Sequence, residues 1–215
     1  IPIVFKLRNL KSKPRKASPA TANHARASLS RRFRRRQNPE FRDDRMQLPA
    51  RAYIGIGSNL NHPVAQVQRA FEALNAIPAS CCVAQSPLYR TAAVGGPPNQ
   101  PDYINAVAAL NTALTPEELL TTLQAIETQH GRVRTVPWGL RTLDLDLLLY
   151  DQITRTDPWL TLPHPRLHQR AFVLYPLHDI TPTLTLPERG CLTEWLTQCP
   201  PLNIARLDSQ IHALR

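Results

Sequence analysis

Hydrophobic positions change their spacing along the chain, and each spacing predicts an element. Residues 52–57 are mostly apolar, which predicts a strand, and apolar side chains recur every three or four positions across 63–77, which predicts a helix. Residues 81–89 and 103–110 have the composition of two further strands. Between them, 91–102 is dense in Gly and Pro and is long for a simple hairpin loop. The first half therefore predicts strand, helix, strand and strand.

The second half repeats this change of spacing. Pro116 begins a predicted helix with acidic residues in its first turn, and apolar positions at helical spacing continue towards Gly131. Residues 143–150 then alternate Leu and Asp before they become fully apolar, as in a strand with one buried and one functional face. The order β-α-β-β-α-β predicts an α+β, ferredoxin-like fold: an antiparallel sheet with helices on one face and C-terminal additions. Residues 151–215 are rich in Pro and suit loops, an edge strand and a short helix.

Positive charge is concentrated at the start of the chain. The net charge is +10, but residues 1–45 hold fourteen Lys or Arg against three acids, so 46–215 have a net charge of −1. The basic extension has the composition of disorder, and 46–215 is expected to fold as one domain. Three origins of the extension stay open: sequence upstream of a true start at Met46, a genuine basic tail, or an organelle transit peptide. The charge therefore indicates no nucleic-acid partner for the folded part.

Cysteine spacing and the length of apolar runs indicate where the protein is located and whether it contacts a membrane. The four cysteines show no C-x-x-C spacing, which disfavours a zinc site or a disulfide framework and suits reduced thiols in the cytoplasm. No apolar run approaches the roughly 18 residues of a membrane span. We expect a cytoplasmic protein with no membrane partner, and a monomer.

Asp144 and Asp146 are the first candidates for chemistry. Side chains at positions i and i+2 of a strand share a face, so the two carboxylates point towards one spot. Converging carboxylates repel each other unless a cation lies between them, and magnesium with nucleotide phosphates as its other ligands suits such a pair. The alternative is that the pair is only the solvated face of an antiparallel strand.

Arginines flank this pair. Arg132, Arg134 and Arg141 lie near Trp138 just before the last predicted strand, where they could bind a polyphosphate or form plain solvated surface. The folded part has no Lys and no G-x-x-x-x-G-K-[ST] motif, which excludes a P-loop. An ATP site would therefore use Arg, His and metal. His164, with further Arg after it, suits a phosphate contact, although a lone His is more often structural.

Five segments together resemble one enzyme family. They are A-Y-I-G-I-G-S-N-L (52–60), S-P-L-Y-R-T (86–91), Q-P-D-Y-I-N-A-V (100–107), R-T-L-D-L-D-L-L-L-Y (141–150) and L-P-H-P-R-L-H-Q-R-A-F-V-L-Y-P-L (162–177). Their order and spacing resemble 6-hydroxymethyl-7,8-dihydropterin pyrophosphokinases across about 50–187. The resemblance implies a ferredoxin-like enzyme of tetrahydrofolate biosynthesis. It would transfer diphosphate from ATP to the hydroxymethyl group of the pterin and release AMP.

The resemblance also implies roles for individual residues. Asp144 and Asp146 would hold two magnesium ions that bridge the phosphates of the co-substrate ATP. The implied catalytic residues are Arg132, Arg134, Arg141, Asp144 and Asp146. The implied ATP contacts are Gln124, Glu127, Arg134, Trp138, Arg141, Leu147, Thr161, His164 and Arg170. The implied pterin contacts are Thr91, Ala92, Val94, Tyr103, Asn105, Trp138 and Phe172. Without the resemblance, Tyr103 and Phe172 would be interpreted as aromatic residues of the core.

Four positions depart from the usual pattern of the family, and two other functions stay open. The departures are Pro137, Leu140, Trp159 and Pro165, which bear on loop closure and nucleotide affinity rather than on the type of reaction. Paired Asp with clustered Arg also suits a metal-dependent phosphoesterase or nuclease. Ferredoxin-like sheets also occur in RNA-binding modules, although no RNP-like aromatic block is visible in this sequence.

Overall fold

The computed structural model describes residues 49–95, 97–132, 140–187, 189–199 and 203–207. The core elements are β1 Ala50–Ser58, α1 Pro63–Asn75, β2 Ser80–Gln85, β3 Leu88–Thr91, β4 Tyr103–Thr112, α2 Pro116–Gln129 and β5 Asp144–Tyr150. After them come β6 Arg155–Thr156, β7 Thr161–Leu162, a one-turn 3-10 helix Leu167–Gln169, α3 Ala171–Ile180, β8 Thr185–Leu186, β9 Gly190–Cys191, α4 Leu192–Gln198 and β10 Ile204–Leu207. The basic extension 1–45 lies outside the described residues, and its separation from the domain stays a prediction.

The main sheet is antiparallel, with strands in the order β10-β3-β4-β1-β5 and with β2 also paired to β4. Strand β1 therefore lies at the centre between β4 and β5. The predicted order of core elements agrees with this topology except that two strands, β2 and β3, stand where one was predicted. Thr115 starts α2 with a capping box, in which its hydroxyl accepts from the N–H of Glu118 and the Glu118 side chain accepts from the N–H of Thr115.

The single strand predicted over 81–89 is wrong, because the chain forms two strands there. Ser86 and Pro87 separate β2 from β3. Pro87 has no N–H to donate to a ladder. Ser86 instead bonds to Val107 twice: its N–H donates to the Val107 carbonyl and its hydroxyl accepts from the Val107 N–H, both at 2.9 Å. Both strands then pair with β4, β2 near its end and β3 near its start.

Helices α1 and α2 cover one face of the sheet, as predicted. Ile54 and Leu110 of the sheet pack in one core with Leu74 of α1 and with Leu119 and Leu123 of α2. Each of these side chains is fully buried, and burying a Leu or Ile contributes about 1.5–3 kcal/mol of stability.

The C-terminal additions cover the other face, which the sequence did not indicate. Leu174 and Leu177 of α3 and Leu192 at the start of α4 pack with Tyr53 and Leu148 of the sheet. Leu148 has no partner in the β1–β5 register, which shifts between Tyr53 and Ile54 as in a β-bulge. The sheet is therefore a middle layer between two pairs of helices. Within the described ranges, no helix is both long and apolar enough to span a membrane.

The last strand, β10, extends the sheet beyond β3. Tyr89 on β3 donates its hydroxyl to Asp179 of α3 at 2.6 Å, and Asp179 also lies 3.7 Å from Arg206 of β10. Burial and the bond to Asp179 raise the pKa of Tyr89 to about 12. These contacts join α3 to the edge of the sheet, close to Thr91.

Candidate active site

Asp144 and Asp146 lie on the same face of β5, beside the central strand. Asp144 is opposite Gly57 of β1 and Asp146 is opposite Gly55. Their side chains point to the face that α3 covers, whereas Leu145 between them is buried against α1 and α2. The strand period that predicted this shared face is therefore present in the structure.

The two glycines open a cavity of about 460 Å³ above β1. It is bounded by β1, β4, β5, the loop after β3 and the start of α3. A Cβ atom on Gly57 would project to within 3.4 Å of the Asn105 Oδ1 atom. Sequence reasoning treated this segment as a plain strand and missed both glycines. The repeat G-x-G at the period of two, which leaves one strand face bare, could have indicated them.

Asp144 is held by two arginines. Arg132 lies 2.6 Å from its Oδ1 atom, and Arg141 bonds to its Oδ2 atom. Burial would raise the pKa of this carboxyl, but the charges of Arg132 and Arg141 outweigh burial and lower it. Asp144 is therefore an ionised carboxylate at neutral pH.

Asp146 lies in a different electrostatic environment. Arg170 is its partner at 3.3 Å, a weaker contact than the pairs on Asp144. Burial and the negative charge of Asp144 raise the pKa of Asp146 to about 6. Asp146 is therefore less fully neutralised by arginines than Asp144 is.

This donor set fits a hard divalent cation. Two carboxylates on adjacent same-face positions supply oxygen ligands. The pKa of Asp146 is raised by burial and by repulsion from Asp144, and a bound cation would offset both effects. Within the described residues no third acid, His or Cys joins them as a cluster. Magnesium, which keeps water and phosphate oxygens as ligands and needs few carboxylates, suits such a site best.

Glu127 is a buried acid that holds Arg132 and the backbone of β5 in position. It is 3% exposed, its carboxylate bonds to Arg132, and it accepts the backbone N–H of Leu145 at 2.8 Å. The end of α2, the start of β5 and Arg132 are thereby joined through one buried acid. The implied ATP contact of Glu127 stays a prediction, and the geometry favours an action through Arg132.

Two bonds at the end of β1 fix the position of Arg141. The backbone N–H of Arg141 donates to Asn59 Oδ1 at 2.8 Å, and the Asn59 N–H donates to the Arg141 carbonyl at 3.1 Å. Ser58 next to it donates its hydroxyl to the Thr142 carbonyl at 2.6 Å. Ser58 and Asn59, at the end of β1, therefore hold the backbone of the arginine that contacts Asp144.

The implied pterin contacts in the described residues come together in one end of the cavity. Those lining it are Thr91, Ala92, Val94, Tyr103, Asn105 and Phe172. Asn105 is 5% exposed and donates its amide N–H to the Thr91 hydroxyl at 2.9 Å. Phe172 lies beneath the guanidinium group of Arg170, 5.6 Å from the ring centre. Aromatic faces and a polar edge thus meet within reach of the Asp pair.

His164 lies beside this cavity rather than in its lining. Its backbone N–H donates to the Leu148 carbonyl at 2.8 Å, and its Nδ1 atom accepts the N–H of Arg166 at 3.2 Å. Burial and the charge of Arg170 lower the pKa of His164 to about 4. The imidazole is therefore neutral at pH 7, with its proton on Nε2.

The other implied ATP contacts are more scattered. Gln124 is exposed on α2, and Thr161 is half-buried on β7. Leu147 is 4% exposed and packs in the core against α1 and α2, so its side chain is on the face opposite the carboxylates. Arg134 and Trp138, like the departure at Pro137, lie outside the described residues. Arg166 and Gln169 line the cavity but were not among the predicted site residues.

Comparison with known proteins identifies the family. The sequence model of 7,8-dihydro-6-hydroxymethylpterin-pyrophosphokinase (HPPK) matches residues 53–182. The 2-amino-4-hydroxy-6-hydroxymethyldihydropteridine pyrophosphokinase of Pseudomonas aeruginosa is 48% identical over 157 residues, which are 73% of this chain and 96% of that protein. The protein of the same name from Haemophilus influenzae is 46% identical over 68% of this chain and 91% of its own length.

A solved structure confirms the fold class. The crystal structure of an HPPK-DHPS in complex with substrates superimposes with a TM-score of 0.57 at 11% sequence identity. The match covers 71% of this chain and 43% of that chain, so this chain spans less than half of the longer protein. At this identity the likeness shows the fold alone. From the family match and the two bacterial relatives, the chain belongs to the 7,8-dihydro-6-hydroxymethylpterin-pyrophosphokinase family of enzymes.

Proposed function

We propose that the cavity above Gly55 and Gly57 binds ATP and 6-hydroxymethyl-7,8-dihydropterin together and transfers the terminal diphosphate of ATP to the pterin hydroxymethyl group. AMP is the second product. The family supplies the reaction, which is pyrophosphoryl transfer to hydroxymethyldihydropterin in folate biosynthesis. The observation that carries the proposal is the same-face pair Asp144 and Asp146, ion-paired to arginines, in one cavity with the Asn105 and Thr91 pair.

The pterin end needs a flat slot with a polar edge. Tyr103 and Phe172 offer aromatic faces, and the bare backbone of Gly57 leaves room for a planar ring. Asn105 donates one N–H of its amide to Thr91, and its Oδ1 atom lies on the side of Gly57, towards the cavity. A ring with N–H donors on its edge, as a pterin has, suits this acceptor.

The metal site is proposed from the donor chemistry of the carboxylates. Asp144 and Asp146 would hold two magnesium ions. Such ions neutralise phosphate charge and polarise the phosphorus that is attacked. Without a ligand, Arg132, Arg141 and Arg170 pair with the same carboxylates. When the carboxylates take cations instead, these guanidinium groups can exchange their partners for phosphate oxygens at little electrostatic cost.

The reaction forms one bond and breaks one. The pterin hydroxymethyl oxygen forms a bond to the β-phosphorus of ATP, the bond between that phosphorus and the bridging oxygen to the α-phosphate breaks, and the hydroxyl proton leaves to solvent. Negative charge grows on the bridging oxygen and on the transferred group. Arg132 and Arg141 stabilise that charge. Glu127 holds the guanidinium group of Arg132, and Asn59 holds the backbone of Arg141. The neutral His164 can donate its Nε2 proton to the nucleotide.

Mixing the 215-residue chain with ATP, magnesium chloride and hydroxymethyldihydropterin tests this proposal, with AMP followed by chromatography. We expect AMP to appear only when all three are present. A folded protein that releases no AMP would refute the proposal, and rapid nucleotide hydrolysis without pterin would favour a metal-dependent phosphohydrolase. The absence of an RNA partner, the monomeric state and the cytoplasmic location stay predictions from the sequence.

A further inference from the structure

Arg166 lines the same cavity as the Asp pair, and none of the roles above uses it. It lies four residues before Arg170, which lines the cavity as well. Its side chain is half-buried. Two arginines of one short segment therefore line the space in which phosphates are expected.

The backbone on either side of Arg166 is fixed. Its N–H donates to His164 Nδ1 at 3.2 Å, and its carbonyl accepts the N–H of Gln169 at 3.1 Å. The next residue, Leu167, is 1% exposed and anchors the turn in the core that contains α3. Because the turn is held at both ends, the Arg166 side chain starts from a defined point on the cavity wall.

Charge around this wall favours an anion. Arg170 forms an ion pair with Asp146 at 3.3 Å, whereas Arg132 and Arg141 both form ion pairs with Asp144. Partial burial and the positive charge of Arg170 lower the pKa of Arg166, so the two guanidinium groups act on each other as like charges. Like charges that face one cavity raise its positive potential, which an anion between them relieves.

We propose that Arg166 and Arg170 together bind a phosphate group in this cavity, which makes Arg166 a further substrate-binding residue. The inference rests on the function proposed above. The phosphate has two possible sources with the same chemistry, the triphosphate of ATP and the diphosphate of the pterin product. A planar guanidinium group can bind phosphate through two parallel N–H bonds, which a Lys ammonium group cannot reproduce.

Calorimetric titration of three ligands in the presence of magnesium tests the inference. The ligands are an ATP analogue with a non-hydrolysable α,β bridge, the diphosphorylated pterin, and the unphosphorylated hydroxymethyldihydropterin. For Arg166→Gln we expect the dissociation constant of at least one phosphate ligand to rise about tenfold or more, since a hydrogen bond to a charged group is lost. Arg166→Lys should lie between Arg166→Gln and the wild type, and binding of the unphosphorylated pterin should not change.

Arg90→Gln is the matched control, because Arg90 is an exposed arginine of β3 outside the cavity lining. It removes the same charge and should change each dissociation constant less than about twofold. The phosphate ligand that weakens identifies the source of the phosphate. Unchanged affinity for both phosphate ligands would overturn the inference, as would an equal loss for all three ligands or an equal loss in Arg90→Gln. A wild-type protein that binds none of the ligands would instead refute the proposed function.

Discussion

Asn105 donates its side-chain N–H to the hydroxyl of Thr91 at 2.9 Å, and both residues are buried beside the cavity. This bond sets the orientation of the amide, so the Oδ1 acceptor faces the ligand. Thr91→Val removes the acceptor of the Asn105 N–H and keeps the shape of the side chain. We expect the Michaelis constant for the pterin to rise about tenfold, with stability reduced by about 1–3 kcal/mol because a buried donor loses its partner.

Thr91→Ser is the matched control, because it keeps the hydroxyl group. It should leave the Michaelis constant for the pterin within about threefold of the wild-type value. Steady-state kinetics with saturating ATP measure both variants. If Thr91→Val binds the pterin as tightly as wild type does, Asn105 is not oriented through Thr91.

Substitutions of Gly57 and Gly55 should have different effects: the first should weaken pterin binding and the second should lower stability. In Gly57→Ala the added Cβ would lie 3.4 Å from Asn105 Oδ1 and about 4 Å from its other neighbours, which the fold can accept. It would, however, occupy the slot of the pterin ring, so we expect pterin affinity to fall about tenfold while the melting temperature stays unchanged. In Gly55→Ala the added Cβ would lie 3.3 Å from the buried Leu148 side chain, so stability should fall by about 1 kcal/mol or more.

Equilibrium pterin binding and thermal unfolding of both variants measure these effects. If Gly57→Ala binds the pterin as tightly as the wild type does, the bare backbone of Gly57 is not needed to make room for the pterin ring.

The two carboxylates should have opposite effects on the stability of the metal-free protein. Asp144→Asn leaves Arg132 and Arg141 facing a neutral amide, and we expect a loss of about 2–3 kcal/mol. Asp146→Asn removes a carboxylate that Asp144 repels, and we expect a gain of about 1 kcal/mol at pH 7, a value discounted because 37% of the side chain is exposed.

Urea unfolding in excess chelator measures both changes, with the exposed Asp102→Asn as a control near zero. A destabilised Asp146→Asn would contradict the account of the repulsion between the two carboxylates.

His164 should stay neutral well below the ordinary pKa of an imidazole. Burial and the charge of Arg170 lower its pKa to about 4, so between pH 4 and 6.5 the unfolded chain binds more protons at this residue than the folded one. Its contribution to stability is therefore fully present above about pH 6.5 and is lost as the pH falls towards 4. Titration by NMR, with the resonance assigned from His164→Gln, should show no midpoint between pH 5.5 and 8. A midpoint near 6.5 would contradict the buried, neutral assignment.

Spacing alone predicted the elements whose stability depends on local patterns. Helix α2 has a proline at its start and a capping box, and β5 begins with alternating Asp and Leu before it becomes fully apolar, so their sequences specify them directly. The split at Ser86 was missed although Ser86 and Pro87 interrupt the apolar run, and a proline inside such a run commonly marks the end of a strand. The two bonds to Val107 on another strand show how the break is held. The sequence indicated a short helix in 151–215 but did not place α3, because Pro176 lies inside that helix. Packing against the sheet outweighs the local penalty of the proline.

The same holds for the site: residues placed by a local sequence pattern could be predicted, whereas contacts between distant segments could not. Asp144 and Asp146 could be placed on one face because a strand period of two is local. The role of Glu127 could not be foreseen, because its partners Arg132 and Leu145 are brought together only when the end of α2 packs beside β5. Resemblance to the family supplied residue types around the cavity. Arg166 was visible in the sequence as an arginine after His164, but its place in the cavity lining depends on how the turn before α3 folds.

Formation of the diphosphorylated pterin with equimolar AMP, followed by phosphorus NMR in wild type, Asp144→Asn and Asp146→Asn, tests the central claim most directly. Because each substitution removes a proposed metal ligand, we expect magnesium-dependent product in the wild type and a loss of at least about a thousandfold in each variant. Asp146→Asn should stay folded, so its loss of activity cannot come from unfolding. Near-wild-type turnover by a folded Asp146→Asn protein would contradict the claim that this pair of carboxylates holds the reaction centre.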